Sequence, residues 1–308
     1  MDNNAARLPD EFSPLDLSLA TLAQLSGLKL RSRRVVEGLL AGEHRGAGQG
    51  LAVEFAQLRP YSPGDELRRV DWKVYARTDK LHVRQYEEDV DLCVYILLDA
   101  SAGMGYKGSA SPLSKFEYAQ ILSGVNAYLA LRQNDSACWA ASGKDVDVSA
   151  PFRGLNQWTT FLDSLDETSV TNRLPNGNAS ISAALSHVLT RWQRKGLVLV
   201  FSDFFDAPES VESALKRLRA MGHDCRVYHV LDRDELTFPF NNRTRFVDLE
   251  SDARGLDAEP SQIKTAYLEA LERHLSSIRS ICSALEIEYR LAPTDVPIEQ
   301  ILRGGGTP

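Results

Sequence analysis

The sequence predicts an α/β fold: a doubly wound, mostly parallel sheet with helices on both faces. Three observations carry that expectation. Two apolar runs, LCVYILLD (92–99) and LVLVFSD (197–203), each end in an aspartate and have the continuous hydrophobicity of strands buried on both faces. Two further runs, CRVYHVL (225–231) and IEYRLA (287–292), also read as strands. Helical stretches at about 115–132, 154–166, 180–194, 209–220 and 263–282 alternate with them, the rhythm of parallel strands joined by helical crossovers.

The elements follow in order along the chain. Leu15, Leu19 and Leu22 fall at i, i+4, i+7, and Leu25, Leu28, Val36, Leu39 and Leu40 extend the apolar stripe until the glycine-dense stretch Gly42–Gly50 ends it. Within it, Arg31-Ser32-Arg33-Arg34 reads as a solvated helix face in preference to a site for an acidic partner. Ser62-Pro63-Gly64-Asp65 is a turn, with Asp65 placed to cap a helix whose apolar face is Leu67, Val70 and Val74. Arg69, Lys73 and Arg77 give that helix a basic stripe. Ser114-Lys115-Phe116-Glu117 has capping-box spacing and opens the helix that runs to Arg132. Ala137–Ala141, Asp145–Phe152 and Arg245–Leu249 read as short strands, and Ile263, Tyr267, Leu271, Leu275, Ile278 and Cys282 stripe the long helix. The expected organisation is an N-terminal helical and extended segment (1–90) packed on an α/β domain (91–303), with a flexible tail (304–308).

Composition narrows the function. The 308 residues carry 35 Lys+Arg against 42 Asp+Glu, a net charge of −7, which disfavours bulk nucleic-acid binding. Charge is uneven: Arg59–Arg84 holds seven Lys/Arg and four Asp/Glu, a local +3 that leaves −10 on the remainder. No apolar run approaches the roughly 20 residues a bilayer demands, and MDNNAARLPDEF lacks the basic start and apolar block of a secretion signal. Cys93, Cys138, Cys225 and Cys282 form no CxxC pair, so buried thiols in a reducing, cytoplasmic compartment are expected. HExxH, GxSxG, GxxxxGK[ST] and GxGxxG are all absent, which argues against a zinc enzyme, an α/β-hydrolase, an ATPase and a dinucleotide enzyme.

In an open parallel sheet, ligands sit beyond the carboxyl ends of the strands, where the strand order reverses. Asp99 and Asp203 are delivered to that edge, within LLDASAGMGY (97–106) and VFSDFFD (200–206). Carboxylates and hydroxyls gathered there suit a hard divalent cation such as Mg²⁺. The alternative is that each Asp simply caps the turn that follows it.

At these residues a resemblance becomes specific. RPYSPGDELRRVDWKVYARTDKLHVRQYE (59–87), LLDASAGM (97–104) and FSDFFD (201–206) resemble the bacterial domain of unknown function 58 family, over about residues 35 to 235. The resemblance implies a von Willebrand factor A-like, Rossmann-like domain carrying a metal-ion-dependent adhesion site. It also implies a non-enzymatic protein-interaction role beside MoxR-type AAA+ ATPases. The adhesion pattern is Asp-x-Ser-x-Ser, then a Thr, then an Asp; Asp99, Ser101 and Asp203 match it. Gly103 replaces the second Ser and Ala179 stands where the Thr belongs, with Asn178 or Ser180 as substitutes, so the implied Mg²⁺ site is degenerate.

Arg59, Asp65, Arg68, Asp71, Trp72 and Arg77 make up the family signature. Their expected role is a buried ion-pair lattice in which Trp72 packs against the sheet, ahead of a docking surface built on Arg and Trp. The rival enzyme is a magnesium-dependent phosphatase of haloacid dehalogenase type, with Asp99 as nucleophile and Asp203 and Asp206 on the metal. Ser101 stands where that chemistry needs a second carboxylic acid, which argues for binding over catalysis.

Overall fold

The computed structural model describes residues 18–45, 57–61, 72–78, 80–85, 92–143, 146–170, 180–241, 244–246 and 256–304. In chain order the elements are α1 (Leu19–Gln24), α2 (Leu28–Arg45), β1 (Gln57–Pro60), α3 (Trp72–Thr78), β2 (His82–Gln85), β3 (Cys93–Leu98), α4 (Lys115–Arg132), β4 (Ser136–Ala141), β5 (Asp147–Val148) and β6 (Phe152–Arg153). They continue with α5 (Trp158–Asp166), α6 (Ile181–Val188), β7 (Leu197–Ser202), α7 (Pro208–Ala220), β8 (Asp224–Leu231), α8 (Arg233–Thr237), β9 (Thr244–Phe246), β10 (Leu256–Ala258), α9 (Pro260–Ala284), β11 (Glu288–Pro293) and α10 (Ile298–Leu302). The chain forms two compact units: residues 1–41 together with 92–308, and residues 42–91.

The larger unit is the doubly wound α/β fold. Its sheet runs β11-β8-β7-β3-β4-β5, with β6 also paired to β4. The five strands from β11 to β4 are mutually parallel, while β5 and β6 run antiparallel to β4 at the edge. From β3 the chain winds one way to β4 and then returns to the other side at β7. The reversal therefore falls between β3 and β7, the place where such sheets open a crevice.

Period-two alternation divides the core between the two faces. Val94, Ile96 and Leu98 of β3 join Leu19 and Leu22 of α1, Leu28, Val35 and Val36 of α2, and the buried faces of α4 and α5. Cys93, Tyr95 and Leu97 point the other way, into a cluster with α6, α7 and α9. The amphipathic start of the chain, through Ala41, is thus part of the α/β unit. The division falls at 41/42 and 91/92, where the sequence suggested a single boundary at 90. All four cysteines are free and buried.

The Ser114 capping box forms as expected: the Ser114 hydroxyl accepts from Glu117 N–H at 3.2 Å, and Glu117 accepts from Ser114 N–H at 2.9 Å. Arg31 of the basic run is not merely solvated, since its guanidinium donates to Glu117 at 2.7 Å and pins α2 to α4. The helix expected over 180–194 stops at Val188, and the Thr190 hydroxyl donates to the His187 carbonyl at 2.7 Å, taking an acceptor that a continuing helix would use. The strand expected at 245–249 is observed as Thr244–Phe246, paired with Leu256–Ala258.

In the smaller unit, β1 and β2 pair antiparallel with Arg59 opposite Val83, and α3 carries Trp72 and Arg77 of the signature. The 62–65 turn and the tail beyond Gly304 lie outside the described residues. Among the described residues, no helix is long and apolar enough to cross a membrane.

Candidate functional site

The sheet reversal brings Asp99 and Asp203 to adjacent strand ends. Leu98 pairs with Phe201, and the Asp99 N–H donates to the Phe201 carbonyl at 2.9 Å. Both aspartates are 3% exposed. Asp99 Oδ1 accepts from the Ser101 N–H at 2.9 Å and from the Ser142 hydroxyl at 3.1 Å, and Oδ2 accepts from the Ser202 hydroxyl. Burial, reinforced by the nearby charge of Asp203, pushes the Asp99 carboxyl up to about 7.

Asp203 is engaged differently. Its Oδ2 lies 2.8 Å from the ammonium of Lys115, which also lies 2.7 Å from Oε1 of Glu235. The Lys115 side chain is 1% exposed. Burial alone would lower the Lys115 pKa, but the charges of Asp203 and Glu235 outweigh it and hold the ammonium above the ordinary lysine value. Glu235 is raised by burial, against the pull of Lys115. His229 sits beneath, with Nε2 2.8 Å from the Asp203 carbonyl and Nδ1 3.0 Å from the Tyr289 hydroxyl. An imidazole donating through Nε2 and accepting at Nδ1 is neutral. Burial accordingly pushes His229 down to about 3.

The loop after β7 shapes the rim. Phe204 takes a left-handed conformation with φ of 53°, which a non-glycine residue adopts only when its surroundings impose it. The Ser202 hydroxyl supplies part of that constraint, accepting from Phe204 N–H at 2.8 Å while donating to Asp99. The result buries Phe204 and leaves Phe205 52% exposed, its ring stacked on His274 with a centroid distance of 5.7 Å. The Lys115 ammonium lies 5.4 Å from the Phe205 ring centroid.

A second layer of acid holds the neighbouring loop. Asp232 accepts from Gly108 N–H at 3.0 Å and from the Thr294 hydroxyl at 2.9 Å. Asp234 accepts from Ser109 N–H at 2.7 Å. Gly108 is required there, because a Cβ would fall 2.0 Å from an oxygen of Asp232.

Of the residues read from the sequence as a metal set, Asp99, Ser101 and Asp203 come together. Ser180 does something else: it caps α6, accepting from Ala183 N–H at 3.2 Å, and donates to Asp206 at 2.7 Å. Asp206 is further occupied by the N–H and hydroxyl of Ser182. Within the smaller unit Trp72 meets Tyr75 of the same helix edge-on at 6.1 Å. Arg77 is exposed in the last turn of α3. The Arg59 side chain and residues Asp65, Arg68, Asp71 and Ala179 lie outside the described residues.

A divalent cation fits this arrangement poorly. One atom favours a ligand: the Ser101 hydroxyl is buried without a hydrogen-bond partner. Against it, the oxygen that Asp203 would offer faces an ammonium, and both Asp99 oxygens already accept hydrogen bonds from the chain. No group of three or more His, Cys, Asp or Glu placed to hold a metal occurs among the described residues. The phosphatase alternative is unsupported too. Asp99 has no open face toward a substrate phosphorus, and Asp206 serves the start of α6.

Lys115, Glu235, Ser142, Ser202 and Phe205 were not singled out from the sequence. Two of them carried a signal, since Lys115 directly follows a capping serine and Glu235 closes an Asp-x-x-Glu capping box begun by Asp232. Ser202 and Phe205 lie within the VFSDFFD run that marked the strand end, while Ser142 carried no signal.

The fold and this edge define a doubly wound α/β domain whose sheet reversal is closed by a buried, internally paired acidic cluster. A family model described as "Protein of unknown function DUF58" matches residues 57–277, and the chain belongs to that family. An uncharacterized protein of Mycobacterium tuberculosis and one of Mycobacterium bovis are each 26% identical over 259 residues, covering 83% of this chain and 79% of theirs. Similar solved structures include an aerotolerance-related membrane protein from Bacteroides fragilis, with 16% identity, 69% of this chain and 98% of that chain covered, and a TM-score of 0.46. The conserved hypothetical protein BatB from Bacteroides thetaiotaomicron shows 13% identity, coverage of 70% and 100%, and a TM-score of 0.43. The von Willebrand factor A domain of SpRpn10 shows 13% identity, coverage of 71% and 100%, and a TM-score of 0.41.

Proposed function

We propose that this protein is a non-enzymatic, cytoplasmic protein-interaction module, an adaptor for a MoxR-type AAA+ ATPase, with a von Willebrand factor A-like domain whose adhesion site is degenerate. The observation that carries the proposal is the chemistry of the strand-end edge. Its acidic groups are spent on internal hydrogen bonds and on the Lys115 ammonium, which pairs with both Asp203 and Glu235, while an aromatic ring is held outward beside them. A rigid rim with an exposed aromatic is the form of a docking surface, since buried aromatic anchors dominate binding energy at protein interfaces.

The family signature supports the same proposal. Trp72 and Tyr75 put two aromatic side chains on one short helix, the residue type that anchors protein interfaces. Affinity purification from the native host, with wild type, Asp99→Ala and Phe205→Ala, tests the proposal. The expected result is an AAA+ ATPase, identified by mass spectrometry, that is retained by wild type and depleted by either variant. Its absence from the wild-type sample overturns the adaptor role. Turnover of a generic phosphoester that depends on Asp99 would overturn the non-enzymatic assignment.

A further inference from the structure

We infer that Lys115 is the built-in cation of the strand-end edge, its ammonium taking the place of a divalent ion so that the edge is complete without metal. The inference deepens the reading of this edge as a degenerate adhesion site and rests on it. Lys115 is the first residue of α4, directly after the Ser114 cap, and its backbone N–H donates to the Tyr106 carbonyl at 3.1 Å. From that fixed base the buried side chain reaches Asp203 at 2.8 Å and Glu235 at 2.7 Å.

The ammonium is well provided for. It carries three N–H groups, and it meets two carboxylates and the ring of Phe205 at 5.4 Å. Both acidic partners are anchored in turn. Glu235 uses its second oxygen to accept from the Asp232 N–H at 2.7 Å, and the other oxygen of Asp203 faces the Phe205 N–H at 3.5 Å. A desolvated cation with such partners is held tightly, and a divalent ion on the same oxygens would stand against it charge to charge. Three elements meet at one point: the start of α4, the loop after β7, and α8. A lysine here performs the tying function of a metal with no exchange of ions.

The test uses Mn²⁺ and thermal unfolding of the purified full chain, readouts that need no partner protein. Wild type should unfold at the same temperature after EDTA treatment and in millimolar Mn²⁺, and calorimetry should detect no Mn²⁺ binding that depends on Asp203. Lys115→Ala should unfold roughly 10 °C lower, because it leaves buried carboxylates unpaired. Mn²⁺ should restore part of that loss, since the freed carboxylates then have a cation to bind.

A wild-type Tm raised by Mn²⁺, with the rise abolished in Asp203→Asn, overturns the inference. So does a Lys115→Ala protein as stable as wild type, or one that folds but gains nothing from Mn²⁺. If Lys115→Ala does not fold, the charge-free combination Lys115→Met, Asp203→Asn, Glu235→Gln takes its place. It should fold and ignore Mn²⁺, and a Mn²⁺ response there contradicts the inference. The wild-type measurement decides in every case. Loss of the ATPase partner with these results intact would count against the adaptor role alone.

Discussion

The ammonium of Lys115 and the carboxylate of Asp203 lie 2.8 Å apart with both side chains almost wholly removed from water. An ion pair in that setting is costly to build and far more costly to break, because the survivor keeps its charge without its partner. Lys115→Ala and Asp203→Asn should therefore each destabilise the fold by about 3–5 kcal/mol. The double variant should lose less than the sum, with a coupling energy above about 1 kcal/mol. Urea unfolding of the four proteins measures it, and additive losses would show that the pair is not a unit.

A second pair, Arg31 and Glu117, joins α2 to α4. Burial pushes Glu117 up, but the Ser114 N–H and the Arg31 guanidinium outweigh it and hold its carboxyl below its ordinary value of 4.5. A carboxyl depressed in the folded state adds stability above its unfolded value, and that stability is lost as pH falls through its folded value. Acid unfolding of Glu117→Gln should consequently be flatter below pH about 4.5 than that of wild type. At neutral pH the variant should be the less stable of the two. Parallel curves would mean that the α2–α4 contact carries no charge-dependent stability.

Gly108 sits against the acidic layer beneath the site. Alanine at this position would place its Cβ 2.0 Å from Asp232 Oδ1, an overlap the loop must move to relieve. Gly108→Ala should cost about 1–3 kcal/mol and weaken the hold of Asp232 and Asp234 on the 108–109 loop. Amide exchange at residues 108 and 109, which donate to those two aspartates, should quicken along with the drop in Tm. A wild-type Tm would show that the loop yields freely.

The N-terminal helices give a fourth prediction. Leu22 is fully buried in the cluster shared with Ile96 and Leu98. Leu22→Ala should destabilise the whole α/β unit by about 2–5 kcal/mol, as deletion from a packed core does. Were α1 an independent appendage, the unfolding midpoint of the sheet would stay where it is.

Most of the fold was legible because each strand and helix obeys one period. The β3 run is apolar at every position since both its faces are covered, and α9 shows its stripe from Ile263 to Cys282. The boundary at 41/42 was less legible: the Leu19–Leu40 stripe announces a buried face but says nothing of what covers it. At the site, Asp99 and Asp203 were visible because a strand end following an apolar run is a positional signal. Lys115 was not, since a lysine in the first turn of a helix usually faces water, and only the tertiary meeting with Asp203 and Glu235 reveals its role. Ser180 misled for the converse reason. A serine before an apolar helical run serves equally as a cap, and the structure uses it so.

The central claim, that the strand-end edge is a docking surface, is tested most directly through Phe205. Its ring is 52% exposed, so Phe205→Ala should leave the Tm nearly unchanged. Quantitative affinity purification of an identified AAA+ ATPase from the native host, using matched amounts of wild type and Phe205→Ala, is the measurement. A loss of at least about tenfold in recovered ATPase, with folding intact, is the predicted result, corresponding to a hot-spot residue. Equal recovery by the two proteins, or no ATPase with either, would contradict the account.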